Sequence, residues 1–159
     1  MGKIKLDEID HQILDMLIDN TRIPFTDIAK KLLISAGTVH VRVKKIEESG
    51  IIKGSSLTLD YKKLGYSFIA YVGIFLNNTS QTKFVLERVN EIPFVTVAHI
   101  TTGKFNIFCK IRARSTEHAK EIIFKLDDIE GVYRTETMIS LEESINDKKR
   151  LMHSIFNEM

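Results

Sequence analysis

Apolar positions in the first third of the chain recur with a helical period. Ile9, Ile13 and Leu17 fall at i, i+4, i+8, with Leu14 in the same stripe, which predicts a helix from Leu6 to Asn20. Asp7, Glu8 and Asp10 lie in its first turn, where carboxylates face the positive end of the helix dipole. Thr21 to Pro24 interrupts the pattern. A second, short helix is expected from an N-cap at Thr26 to Leu33, burying Ile28, Ala29 and Leu32. Ser35 offers the next N-cap, and a third helix runs from Ala36 to about Ser49, closed by Gly50 in a left-handed conformation. Three short helices with so brief a connection between the last two form a helix-turn-helix pattern. Residues 51–59 read as strand-turn-strand, a small wing or a linker strand, and the polar stretch from Asp60 to Gly65 marks a domain boundary.

Beyond it the period alternates between two and 3.6. Tyr66–Leu76 is β-rich, and Gln81–Ile92 is helical through Phe84, Val85, Val89 and Ile92. Phe94–Thr101 and Asn106–Ile111 are strands around a turn. Thr116–Leu126 is helical through Ala119, Ile122, Ile123 and Leu126, and Val132–Leu141 is a last strand. The order is βαββαβ, a ferredoxin-like arrangement. Scattered apolar residues in 142–159 suit a short amphipathic helix. The expected fold class is therefore α+β. It comprises a helix-turn-helix domain over 1–50, a strand or wing linker over 51–65 and a ferredoxin-like domain over 66–159.

With 159 residues, 43% of them apolar, the chain has material for two small cores. No run is long and apolar enough to span a bilayer, the first residues lack a signal peptide's apolar stretch, and Cys109 stands alone. The expected setting is the cytoplasm, with no membrane. The five histidines show no ligand spacing, so neither metal nor other cofactor is expected, and no catalytic dyad or phosphate loop points to an enzyme. Net charge is only +2, but residues 22–53 carry 7 basic side chains against 3 acidic ones. That local field suits phosphates, although a solvated face can carry the same balance.

At 100° per residue, the third helix turns Ala36, Val39, Val43 and Ile46 to one side and Gly37, Thr38, Val41, Lys44 and Lys45 to the other, with His40 and Arg42 at the flanks. The second face is small at its start and basic further on, as suits a helix in the major groove of double-stranded DNA. Ser35, Thr38 and His40 can reach base edges or phosphates, and Val41 a thymine methyl. A merely solvated third helix fits the periodicity as well; the basic cluster favours DNA. Arg42 borders two environments, so it either meets phosphate or pairs with an acidic residue inside the bundle.

These segments together resemble the Lrp/AsnC family of prokaryotic transcription regulators over about residues 5–142. The matching residues begin with Leu6-Asp7, Asp10, Ile13-Leu14, Asn20-Thr21-Arg22 and Ile28-Ala29, and continue through Ser35 to Val43 and Glu48 to Ile52. In the second half they are Leu64-Gly65-Tyr66, Thr101 to Phe108 and Thr135-Glu136-Thr137, with the asparagine-regulator branch the most similar. The resemblance implies a winged-helix-like DNA-binding domain and a ligand-binding, oligomerising domain. Such proteins dimerise through their sheets, often assemble into tetramers or octamers, and bind amino acids or related small molecules at interfaces. The implied effector residues are Thr101, Thr102, Gly103, Lys104, Phe105, Asn106, Thr135, Glu136 and Thr137. The family's Gly-x-Tyr-Asp-like turn is Gly103-Lys104-Phe105-Asn106 here, without the hydroxyl and the carboxylate. The same segment also reads as a plain hairpin turn in which Gly103 supplies positive φ, and Glu136 as an outward residue of the last strand. The leading expectation is a sequence-specific regulator modulated by an amino acid. A ligand-independent architectural DNA-binding protein is the alternative.

Overall fold

A computed structural model describes residues 5–147 and 149–157. Met1–Ile4, Lys148 and Glu158–Met159, which fall within the expected domains 1–50 and 66–159, lie outside the described residues. The chain divides into two units, one holding the described residues up to Thr58 together with those from Ile145 onward, the other Leu59–Ser144.

In the first unit, α1 (Glu8–Asp19), α2 (Phe25–Leu32) and α3 (Ala36–Glu48) enclose a core of Ile13, Ile28, Ala29, Val39 and Val43. α1 starts at a reciprocal cap: the Asp10 N–H donates to Asp7 Oδ1 at 2.9 Å, and the Asp7 N–H to Asp10 Oδ2 at 3.1 Å. α2 starts one residue before Thr26, with Pro24 rather than Thr26 in the cap position. Phe25 thereby enters the helix and packs on the core. The turn before α3 is made by Leu33 at φ 56, with 92% of its surface exposed. The left-handed conformation is sterically disfavoured for a residue with a Cβ, and here it redirects the chain between two helices. Ser35 caps α3 as expected, accepting from the Thr38 N–H at 3.0 Å, and Gly50 adopts φ 77 beyond its end.

The expected strand-turn-strand over 51–59 does not form: these residues carry no sheet pairing. Nearly all are exposed, and the left-handed Gly54 at φ 146 breaks the run of extended backbone. The tail forms α6 (Arg150–Asn157). It groups with the first unit, not with the sheet domain to which the sequence pattern assigned it.

The second unit is a four-stranded antiparallel sheet in the order β2-β3-β1-β4, built from β1 (Phe68–Leu76), β2 (Val95–Ile100), β3 (Ile107–Ala113) and β4 (Val132–Ile139). Helices α4 (Thr82–Asn90) and α5 (Thr116–Asp127) cover one face, burying Ala70, Val72, Ile74, Ile107, Cys109 and Ile111 against Val85, Val89, Ile122 and Leu126. This is the expected βαββαβ unit. Alternation along the strands sends the other set of side chains to a face that neither helix covers.

Candidate DNA-reading helix and effector face

Val39, Val43 and Ile46 of α3 are buried, while Gly37, Thr38, His40, Val41, Lys44 and Lys45 are exposed. The expected inward and outward faces are thus in place. Lys44 lies 3.8 Å from Glu48, a mostly exposed pair, and such pairs hold their partners weakly. The Ser35 and Thr38 hydroxyls bond each other at 2.8 Å, which fixes their orientation while leaving one O–H and lone pairs for a further contact. His40 tilts against Phe25 with ring centroids 6.0 Å apart.

Arg42 is differently engaged. Its NH1 donates to Asp7 Oδ2 at 2.7 Å and to Asp10 Oδ1 at 2.8 Å, tying α3 to the N-terminus of α1. Asp10 is buried. The Asp10 N–H and then the Arg42 guanidinium hold the Asp7 carboxyl below its ordinary 3.8, and Asp10 and Asp7 raise Arg42 in turn. Of the two alternatives for Arg42, the intramolecular pair is the one formed. It does not belong with the free basic side chains.

On the second unit, cross-strand register decides which of the expected effector residues share a face. Glu136 pairs with Gly73, and Gly73 with Phe108, on the side away from the helices. Thr135 and Thr137 pair with the core residues Ile74 and Val72, and so belong to the helix-covered side. The three neighbouring residues are therefore split. On the uncovered face, Lys104 Nζ lies 2.6 Å from Glu136 Oε2, and Arg134 lies 3.0 Å from the other oxygen. The Lys104 ammonium, with Arg134 adding to it, holds the Glu136 carboxyl below its ordinary range.

Beneath these charges lies an aromatic cluster: Tyr71 stacks on Phe108, Phe108 on Phe105, and Phe105 meets Phe75 edge-on. Arg134 sits 4.1 Å from the Phe75 ring centroid. Tyr71, Phe75, Phe108 and Arg134 were not among the expected site residues. For Tyr71 and Phe75 the signal was the alternation Tyr71-x-Gly73-x-Phe75, and the register of β1 against β3 and β4 was needed to bring Phe108 and Arg134 to the same face.

In the loop itself, Thr101 donates its N–H to the Asn106 carbonyl at 3.1 Å and its hydroxyl to the Phe105 carbonyl. Asn106 is tied to β1, its N–H donating to the Ile74 carbonyl at 3.0 Å and its Oδ1 accepting from the Leu76 N–H at 2.9 Å. That amide oxygen bridges the irregularity between Phe75 and Leu76 and is already engaged there. Thr102, Gly103 and Lys104 are exposed at the tip. Gly103 does not take the positive φ expected of it; the glycines that do are Gly50, Gly54, Gly65 and Gly131.

Comparison with known proteins completes the picture. Residues 6–53 match winged helix-turn-helix DNA-binding domains, and residues 69–149 match the Lrp/AsnC ligand binding domain. The chain belongs to the Lrp/AsnC family. Regulatory protein AsnC of Escherichia coli is 34% identical over 146 residues, covering 91% of this chain and 96% of the relative. The solved structure of that E. coli AsnC aligns with a TM-score of 0.86 at 32% identity, over 91% of this chain and 97% of the other. The HTH-type transcriptional regulator LrpA of Pyrococcus horikoshii is 40% identical over 141 residues, covering 87% of this chain and 98% of the relative. The feast or famine regulatory protein of M. tuberculosis, solved in complex with L-methionine, shares the fold at TM-score 0.81 and 23% identity, over 91% of this chain and 97% of the other. This Lrp/AsnC member is thus a transcriptional regulator that joins a DNA-binding unit to a ligand-binding domain, and its relatives are regulatory proteins, not enzymes.

Proposed function

We propose that the protein is a sequence-specific, cytoplasmic DNA-binding regulator whose α3 enters the major groove and whose sheet unit binds an amino acid between copies of the chain. The observation that carries the DNA half is the exposed, unburied row Gly37, Thr38, Val41, Lys44 and Lys45 beside the buried Val39, Val43 and Ile46. The small N-terminal residues allow close approach to base edges, and the lysines meet phosphates. Lys44→Ala or Lys45→Ala is expected to weaken binding to all duplexes alike and to reduce the salt slope by about one. Thr38→Ala or His40→Ala is expected to change preference at single base pairs by about 1–3 kcal/mol. Binding titrations against a degenerate operator library at several salt concentrations separate the two classes. Unchanged base preference in both the Thr38 and His40 variants contradicts the reading.

For the effector, an α-amino acid carries an ammonium and a carboxylate a few ångströms apart. Glu136 and Lys104 present the complementary charges at 2.6 Å on an aromatic floor, so an amino acid can open the pair and satisfy both ends. Glu136 thereby supplies the carboxylate that position 106 lacks. The M. tuberculosis complex with L-methionine supports an amino acid as the ligand class. The uncovered sheet face is where a second copy would pair, with tetramers or octamers as higher assemblies. Thermal-shift measurement with each of the twenty amino acids is expected to find one that stabilises the chain, by about 2.7 kcal/mol at a hundred times its Kd. That stabilisation should vanish in Glu136→Gln. No stabilisation by any of them favours the ligand-independent architectural reading.

A further inference from the structure

The match to the Lrp/AsnC ligand-binding domain ends at residue 149, immediately before α6 begins at Arg150. That helix lies antiparallel along α1, and its contacts step up α1 one turn at a time. Lys149, at its start, pairs with Asp19 and, at 3.3 Å, with Asp15. His153 Nε2 lies 2.9 Å from Asp15 Oδ1, and Phe156 stacks on the His11 ring. The Asp15 carboxyl is held below its ordinary range, chiefly by His153 and then by Lys149.

We propose that α6 is a releasable strap, a fourth helix of the DNA-binding unit that gives the two units a second connection, covalent at the sheet unit and non-covalent at α1. The chain enters the sheet unit at Leu59 and leaves it at Ser144, with the helix-turn-helix on one side in sequence and the strap on the other. While α6 is docked, the reading helix is constrained through both ends of the sheet unit's sequence instead of one. The seam is built for release. Its ion pairs are partly solvated, with Asp19 67% and His153 57% exposed in their side chains against 20% for Lys149, so each contributes only modestly. Docking also leaves His11 Nε2 buried without a hydrogen-bond partner among the described residues, a cost set against the gain. Leu151 and Ile155, on the outer side of the helix, remain exposed.

Two full-length measurements test this. The first is hydrogen exchange on the Lys149→Ala/His153→Ala variant and on the Lys149→Ala/His153→Ala/Phe156→Ala variant. Both are expected to exchange the α1 amides roughly tenfold faster than the unaltered chain while β1 and β3 stay protected. Unchanged α1 exchange in both overturns the strap. The second is a short bis-maleimide cross-link between cysteines placed by Asp19→Cys and Lys149→Cys. It is expected to consume both cysteines in one intrachain linkage, read by mass spectrometry as a single cross-linked peptide pair at monomer mass. His153 and Phe156 are left in place to hold the seam, and no linkage overturns the strap. Cross-linking only at dimer mass overturns docking within one chain.

Discussion

Arg42→Ala is expected to destabilise the DNA-binding unit by roughly 3 kcal/mol, the low end for stranding a buried carboxylate because Arg42 itself is partly exposed. Asp10 is 5% exposed, and its Oδ1 depends on the Arg42 NH1 at 2.8 Å; only Oδ2 keeps a partner, the Asp7 N–H. The same guanidinium nitrogen bridges Asp7 at 2.7 Å, so its removal also weakens the cap of α1. Urea denaturation followed by circular dichroism reads the loss. The variant with Arg42→Met and Asp10→Leu together should be less destabilised than Arg42→Ala, since it removes the charge as well as its partner. The pH dependence carries a definite sign. Asp7 is lowered from 3.8 in the folded state, so its contribution is fully present above that value and is lost as pH falls through the lowered one. If Arg42→Ala instead leaves stability within about 0.5 kcal/mol and reduces the salt slope of DNA binding by about one, then the residue serves phosphate and not the scaffold.

The fate of Arg42 illustrates which parts of the molecule were legible in the sequence. Periodicity located the three N-terminal helices, the four strands, α4, α5 and the tail helix, because each buries a stripe or a face that repeats in sequence. The Ser35 cap and the left-handed Gly50 followed from local chemistry for the same reason. Periodicity cannot say what a flank residue meets across 32 positions of chain, and Arg42 finds Asp10 only once α1 and α3 have packed. Sheet register is equally non-local: Thr135, Glu136 and Thr137 are consecutive, yet pairing with β1 sends the glutamate to one face and both threonines to the other. Residues 51–59 have strand-like composition but no neighbour to pair with, so tertiary context decides against propensity. The docking of α6 depends on side chains 138 positions apart, and its amphipathic pattern alone could not name α1 as the surface it would cover.

Gly73→Ala is expected to be the most damaging small substitution in the sheet unit. Gly73 lies in the central strand β1, opposite Glu136 on one side and Phe108 on the other, with its missing side chain directed to the uncovered face. A Cβ built there would fall far inside contact distance of Phe105 Cδ1 and Cε1. The ring cannot slide along the sheet, because Phe108 stacks on it at 5.7 Å and Phe75 meets it edge-on at 5.2 Å. Its backbone is held on either side by the Thr101 hydroxyl bond and by Asn106 on Ile74. Overpacking of this kind costs about 1–3 kcal/mol, read as a lower unfolding midpoint in calorimetry. The functional loss should exceed the loss of stability. Expelling Phe105 displaces Lys104, the preceding residue, from Glu136, so the paired charges separate before any ligand arrives. Amino-acid stabilisation is then expected to disappear at temperatures where Gly73→Ala is still folded. A companion change, Phe105→Ala, should restore room for the new methyl and recover part of the lost stability, but not the ligand response. If Gly73→Ala keeps both its midpoint and its ligand response, the ring is not seated on this glycine, and the loop has another way to hold Lys104 over Glu136.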